Sequence, residues 1–248
     1  MKILCMLPAG RGVYPEEAEA QRIKVIRSYS TPGTQVEADY MPAISGFNPW
    51  GMKPGTVMPP EAEARAAELS VQRAVQAEKE GYDAFCPFGT RDVGVPEARG
   101  VVNIPVVGQT EACMLFCGLM GRRFGTVTYM PGGEGRTRRS AQEAGVEHLM
   151  AANTAIGIPN SEYPQRRDEL LQQFVRCAGE ARAQGAEIMG LVAMSICPTE
   201  YSSAQLSEAC GMPVLDAMAC QIAMAEWWHR TGLSSRLLQY PRVGTPGT

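Results

Sequence analysis

The chain is expected to be an α/β protein with a doubled architecture: two similar parallel-sheet halves facing each other across a cleft. Three observations lead there. Short apolar runs that read as strands alternate along the sequence with helical patterns, which is how parallel sheets covered by helices are encoded. The pattern also repeats. Gly81-Tyr82-Asp83-Ala84, an apolar run and Asn103-Ile104-Pro105-Val106-Val107-Gly108 are echoed by Gly185-Ala186-Glu187-Ile188, an apolar run and Gly211-Met212-Pro213-Val214-Leu215-Asp216. Finally, 248 residues with 45% hydrophobic and 20% charged content suit a globular chain with a sizeable core, as one large or two small domains.

Taken in order, residues 2–7 and 35–41 read as strands, and 16–29 and 61–80 as helices, the second closed by Gly81. Tyr82–Phe88, apolar but for Asp83, and the apolar Ile104–Val107 are short, as buried parallel strands are. Thr110 is expected to cap a helix over 111–120, and Phe124–Tyr129 begins the next strand. A long helix over 165–184, a strand over 188–196 and an amphipathic helix over 217–230 complete the second half. Residues 42–60 break the alternation with several glycines and prolines beside Phe47 and Trp50. Such a segment fits a subunit-contact arm or a lid equally well.

Bulk properties exclude several classes. A net charge of −3 gives no electrostatic footprint for nucleic acid or an anionic membrane. No apolar run approaches the roughly 18 residues of a membrane span, and Met1–Leu7 reads as a strand rather than a signal peptide. A cytoplasmic setting is expected, with the eight cysteines as thiols. No Cys-x-x-Cys pair occurs and there are two histidines, so no zinc site is expected. Gly10-x-Gly12 lacks a third glycine in dinucleotide spacing, and neither a phosphate loop nor a Gly-x-Ser-x-Gly elbow is present.

In parallel-sheet proteins ligands bind beyond the carboxyl ends of the strands. The candidate loops are Pro8–Gly12, Gly89–Gly94, Tyr129–Gly133 and Cys197–Tyr201, whose backbone N–H groups and hydroxyls suit a small anion. Counting sixteen residues back from Pro105 and from Pro213 lands on Gly89 and Cys197. One thiol therefore stands where a symmetric site would have two. A thiol at a strand end beside a helix start can have its pKa lowered and exchange protons near neutrality. Cys86, three residues before Gly89, is expected in the core.

Gly81-Tyr82-Asp83-Ala84, Asp92-x-Gly94, Ala98-Arg99, Ile104–Gly108, Glu111-Ala112 and the stretch Gly121–Thr128 together resemble the aspartate/glutamate/hydantoin racemase superfamily, and most closely its hydantoin and allantoin racemase branch. Cys197-Pro198-Thr199-Glu200-Tyr201 resembles the cysteine loop of amino-acid racemases with one inserted proline. The resemblance implies two pseudo-symmetric α/β domains, set here at residues 1–115 plus 220–248 and at 116–219. It also implies no cofactor, a small carboxylate or hydantoin-like substrate, and an oligomer of identical chains. Two facing cysteines would move a proton off and onto the substrate's acidic carbon. With Gly89 in the first cysteine's place, the Gly89-Thr90 loop, Tyr129 and a single cysteine instead resemble arylmalonate decarboxylase. Cys197 is then the expected acid/base, with Pro8, Gly89, Thr90, Arg91, Tyr129, Pro198 and Thr199 around the substrate. A racemase-like isomerase is the first expectation, a decarboxylase (lyase) the second, and a non-catalytic carboxylate-binding homologue the third.

Overall fold

Apolar segments of four to six residues, each followed by a helix, fold here into two parallel sheets of three strands. The computed structural model describes residues 1–44, 47–48, 58–89, 91–120, 122–129 and 131–235. The first half runs β1 (Lys2–Leu7), α1 (Glu16–Ser28), β2 (Gln35–Tyr40), α2 (Pro60–Lys79), β3 (Ala84–Pro87), α3 (Val95–Arg99) and α4 (Gln109–Leu119). The second runs β4 (Phe124–Thr128), α5 (Glu134–Glu143), β5 (Met150–Ala155), α6 (Arg167–Ala183), β6 (Ile188–Val192), α7 (Ser203–Cys210) and α8 (Ala217–Thr231). The strand orders β2-β1-β3 and β5-β4-β6 are the same, so the echo in the sequence is a true duplication. Strands β1, β3, β4 and β6 are buried along nearly their whole length, which explains their largely apolar character.

One hydrophobic core joins the halves. Ile3, Cys5, Cys86 and Val107 of the first half share it with Phe124, Ile188 and Leu191 of the second, through Cys113, Met114 and Cys117 of α4 and Met218, Ile222 and Ala225 of α8. Cys86 is in this core, as its position on the strand predicts. Gln221 of α8 is buried and donates to the carbonyls of Pro87 and Val107, at 2.9 and 2.6 Å, tying the last helix to the end of β3.

Several expected elements are corrected. Residues 104–107 do not form a strand but touch β3 through one bridge, Phe85 with Val106. The strand expected over 188–196 ends at Val192, and Ala193–Tyr201 is a succession of turns. Thr110 does not cap α4. Its cap residue is Gly108, and the cap bonds come from Asp92, whose carboxylate accepts from the N–H groups of Thr110 (2.9 Å) and Glu111 (2.7 Å). A side chain on Gly108 would occupy the space of that carboxylate: its Cβ would lie 2.4 Å from Asp92. The matching residue in the second half, Asp216, caps α8 with its own side chain. Helices α3, α5 and α7 and strand β5 are not among the elements expected from the sequence. All four are ten residues or fewer, and α5 is almost wholly polar.

Of the segment 42–60, residues 45–46 and 49–57 lie outside the described residues. Its described parts turn Phe47 and Met58 toward the cleft between the sheets.

Candidate active-site cleft

The carboxyl ends of β1, β3, β4 and β6 open onto one cavity of about 120 Å³. Pro8 follows β1, Phe88 and Gly89 follow β3, Tyr129 follows β4, and Ala193, Met194 and Ser195 follow β6; all border it. Parallel strands deliver their loops to the same end, so the placement follows from the topology. The volume corresponds to about four water molecules at liquid density, which is the size of a small organic acid and far below that of a dinucleotide.

The polar part of the wall is Tyr14, Arg22, Arg91, Asp92, Tyr129, Asn160 and Ser195. Tyr14 is stacked against Arg22, whose guanidinium carbon lies 4.1 Å from the ring centre. Burial pushes the Tyr129 hydroxyl up to about 12 and raises Tyr14 also, in the latter case against the pull of Arg22. Both phenols therefore carry their protons at neutral pH. The apolar part is Met41, Phe47, Met58, Ala66 and Phe88.

The loop after β3 is held by its backbone. Gly89 has φ +138°, where a side chain is strained, and its N–H donates to Oε1 of the buried Gln109 at 3.2 Å. A Cβ on Gly89 would meet only the Pro8 side chain, at an ordinary 3.7 Å. Asp92, at φ +50°, is half-buried, and desolvation pushes its carboxyl up to about 7 although two helix N–H groups pull it down. It reaches the cavity wall, but those two bonds make it the cap of α4.

Among the residues expected at the site, Pro8, Gly89, Arg91 and Tyr129 border the cavity. Arg91 is ion-paired with Glu63 at 3.5 Å. Thr90 lies outside the described residues. Thr199 lines a neighbouring pocket with Arg22, Asn160 and Ser195, and its hydroxyl donates to the Met194 carbonyl at 2.8 Å. Pro198 and Cys197 are not on the cavity wall among the described residues.

The position of Cys197 has a simple cause. Phe85 and Met189 are equivalent: each donates to the carbonyl of its proline, Pro105 or Pro213, and each accepts from the residue two beyond it. Phe85 to Pro105 is twenty residues, whereas Met189 to Pro213 is twenty-four. Counting sixteen back from Pro213 therefore stops about four residues short of the matching position. Counted forward from the strands, Gly89 corresponds to Ala193, or to Met194 once the irregularity in the β4–β6 register is included. Cys197 sits further on, 1% exposed, in the core of the second half. The expectation of a lowered thiol pKa is corrected: burial pushes Cys197 well above its ordinary value, and the Asp216 carboxylate pushes it further.

Arg22, Tyr14, Asn160 and Ser195 were missed in the sequence. Only Arg22 left a trace there, as a charged residue on the stripe of α1 that turns out to be buried, Glu19-Arg22-Ile26.

Among the described residues, no group of three or more His, Cys, Asp or Glu could hold a metal, and no helix is long and apolar enough to cross a membrane. The chain is 27% identical over 207 residues to a hydantoin racemase of Rhizobium meliloti, a match covering 81% of this chain and 83% of that one. It is 26% identical over 189 residues to a hydantoin racemase of Paenarthrobacter aurescens, covering 73% and 76%. Its fold superposes on allantoin racemase from Klebsiella pneumoniae with TM-score 0.75 at 18% identity, covering 100% and 96% of the two chains. With unliganded arylmalonate decarboxylase the TM-score is 0.60 at 15% identity, covering 92% of each. The Asp/Glu/Hydantoin racemase family model matches residues 34–225, and the chain belongs to that family.

Proposed function

We propose that this protein is a racemase-type enzyme acting on a small carbon acid, in which an enolate beside a carboxylate or amide carbonyl is formed and reprotonated in the cleft. The observation that carries the reading is the convergence of four strand ends on one small cavity walled by Tyr14, Arg22, Tyr129 and Ser195, in a member of this family. Gly89, Tyr129 and Pro8 would border the substrate, and the Gly89 loop would keep one face of it close to backbone. Arg22 and the hydroxyls would stabilise the negative charge that develops on the carbonyl oxygen.

Proton transfer in this reading falls to oxygen acids. Tyr129, raised to about 12, is a proton donor at neutral pH. The one-thiol form, with Cys197 as acid/base, is disfavoured because that thiol is buried behind the wall and held protonated.

The same observation favours decarboxylation as a second reading. A wall rich in protonated hydroxyls can deliver a proton more readily than remove one. In decarboxylation the C–C bond to one carboxylate breaks, CO2 leaves, and its electron pair stays on carbon as an enolate of the remaining carboxylate. Tyr129 would then protonate that carbon and be reprotonated from water. Binding without turnover is the third reading, since neither Gly89 nor Ala193 carries a proton.

Incubation in D2O with hydantoins, amino acids and substituted malonates, followed by NMR, separates the three. Deuterium at the acidic carbon of an intact substrate supports racemase-type exchange, and loss of CO2 with one deuterium incorporated supports the lyase. Ligand-induced chemical shifts with neither reaction overturn both enzymatic readings.

A further inference from the structure

Two arginines are buried in the described structure, and they differ in one respect. Arg99, 4% exposed, is fully matched: its Nε donates to the Val106 carbonyl at 2.8 Å, and its two terminal nitrogens hold Glu111 at 3.2 and 2.6 Å. Arg22 is 3% exposed. Among the described residues it forms no ion pair. Its Nε donates to the Thr199 hydroxyl at 3.3 Å, and its guanidinium rests on the Tyr14 ring. Glu19, one turn away, is engaged elsewhere, accepting from the Gly12 N–H and the Tyr40 hydroxyl, each at 3.3 Å.

A buried charge without a counter-ion is costly, and a guanidinium is matched best by a planar two-oxygen anion. Arg22 borders the cavity, so the space in front of it is where such an anion would complete the site. The same cavity is lined by Met41, Phe47, Met58 and Phe88.

We propose that Arg22 is a specificity-determining residue that selects a carboxylate-bearing ligand with an apolar substituent over its uncharged isostere. This rests on the reading that the cleft binds a small carbon acid. The carboxylate pairs with Arg22 beside Tyr14, the apolar group lies against the methionine and phenylalanine wall, and the acidic carbon between them faces Gly89 and Ala193. Neutral ring amides of the same size leave the guanidinium unpaired.

The test is calorimetric binding of phenylacetate and phenylacetamide, which share shape and differ in charge. The wild-type protein is expected to bind phenylacetate about ten- to a hundredfold more tightly, the usual worth of charge-assisted hydrogen bonds. Arg22→Gln is expected to bring the two affinities within about threefold of each other by weakening phenylacetate alone, and Arg22→Lys to keep part of the preference. Melting temperature, followed in parallel, reports the tie to Thr199: a purely structural arginine would lower it without changing the preference. Equal affinities in the wild type, or binding of neither probe, overturn the proposal even if Arg22→Gln does not fold. A folded Arg22→Gln protein that keeps the full preference also overturns it. Binding is read without turnover, so failure here is distinguishable from failure of the deuterium experiment.

Discussion

Asp92→Asn asks whether the half-buried carboxylate at the cavity wall is a helix cap or a catalytic base. Burial raises the Asp92 carboxyl from its ordinary 3.8 to about 7. The folded protein thus holds that proton more tightly than the unfolded chain does. The contribution to stability is complete below about pH 4 and is lost as pH rises toward about 7. At ~1.4 kcal/mol per pH unit the loss is at most about 4 kcal/mol. Asparagine has nearly the same shape, tolerates positive φ, and carries no charge to bury. It can still accept from one of the two α4 N–H groups, forfeiting about 1–2 kcal/mol for the other. Asp92→Asn should therefore flatten the fall in stability between about pH 4.5 and pH 8, and be the more stable protein at the higher pH. Urea unfolding midpoints at those two pH values measure this. Asp216 is raised by burial as well and leaves a residual slope of the same sign in both proteins, so the difference between them is the informative quantity. An unchanged slope, or a variant less stable at every pH, would refute the linkage. As a cap, Asp92 should also be dispensable for proton exchange, within a few-fold. A loss of about 10² or more would make it a base.

Other expectations follow from the register of the loops. Gly89→Cys with Ala193→Cys should place two thiols across the cavity and raise racemisation of any carbon acid the parent protein binds. The Gly89 φ makes that half cost about 1–2 kcal/mol of stability, so circular dichroism must show the variant folded, and a folded variant with no gain counts against the facing arrangement. Cys197→Ala should lower stability by about 1 kcal/mol and leave exchange within about threefold. A fall of about 10²–10⁴ would show that the thiol reaches the substrate. Iodoacetamide should modify Cys197 slowly in the native protein, because it is 1% exposed, and rapidly in urea.

The alternation of apolar runs and helices determined the class, the duplication and three of the four loops expected at the cleft, because strand length, burial and crossover direction are local consequences of composition. It placed Pro8, Gly89, Arg91 and Tyr129 at the cleft, each being within a few residues of a strand end. Tertiary structure alone decided the rest. Sequence distance measures contour, not register: four extra residues between Met189 and Pro213 leave both strands in place yet move the matching position from Cys197 to Ala193–Met194. The Asp92 cap depends on the missing side chain of Gly108, sixteen residues away. Arg22 reads in the sequence as one more charged residue of a polar helix. It is buried and bonded to Thr199, 177 residues later, and that it has no ion pair among the described residues is visible only in the tertiary structure.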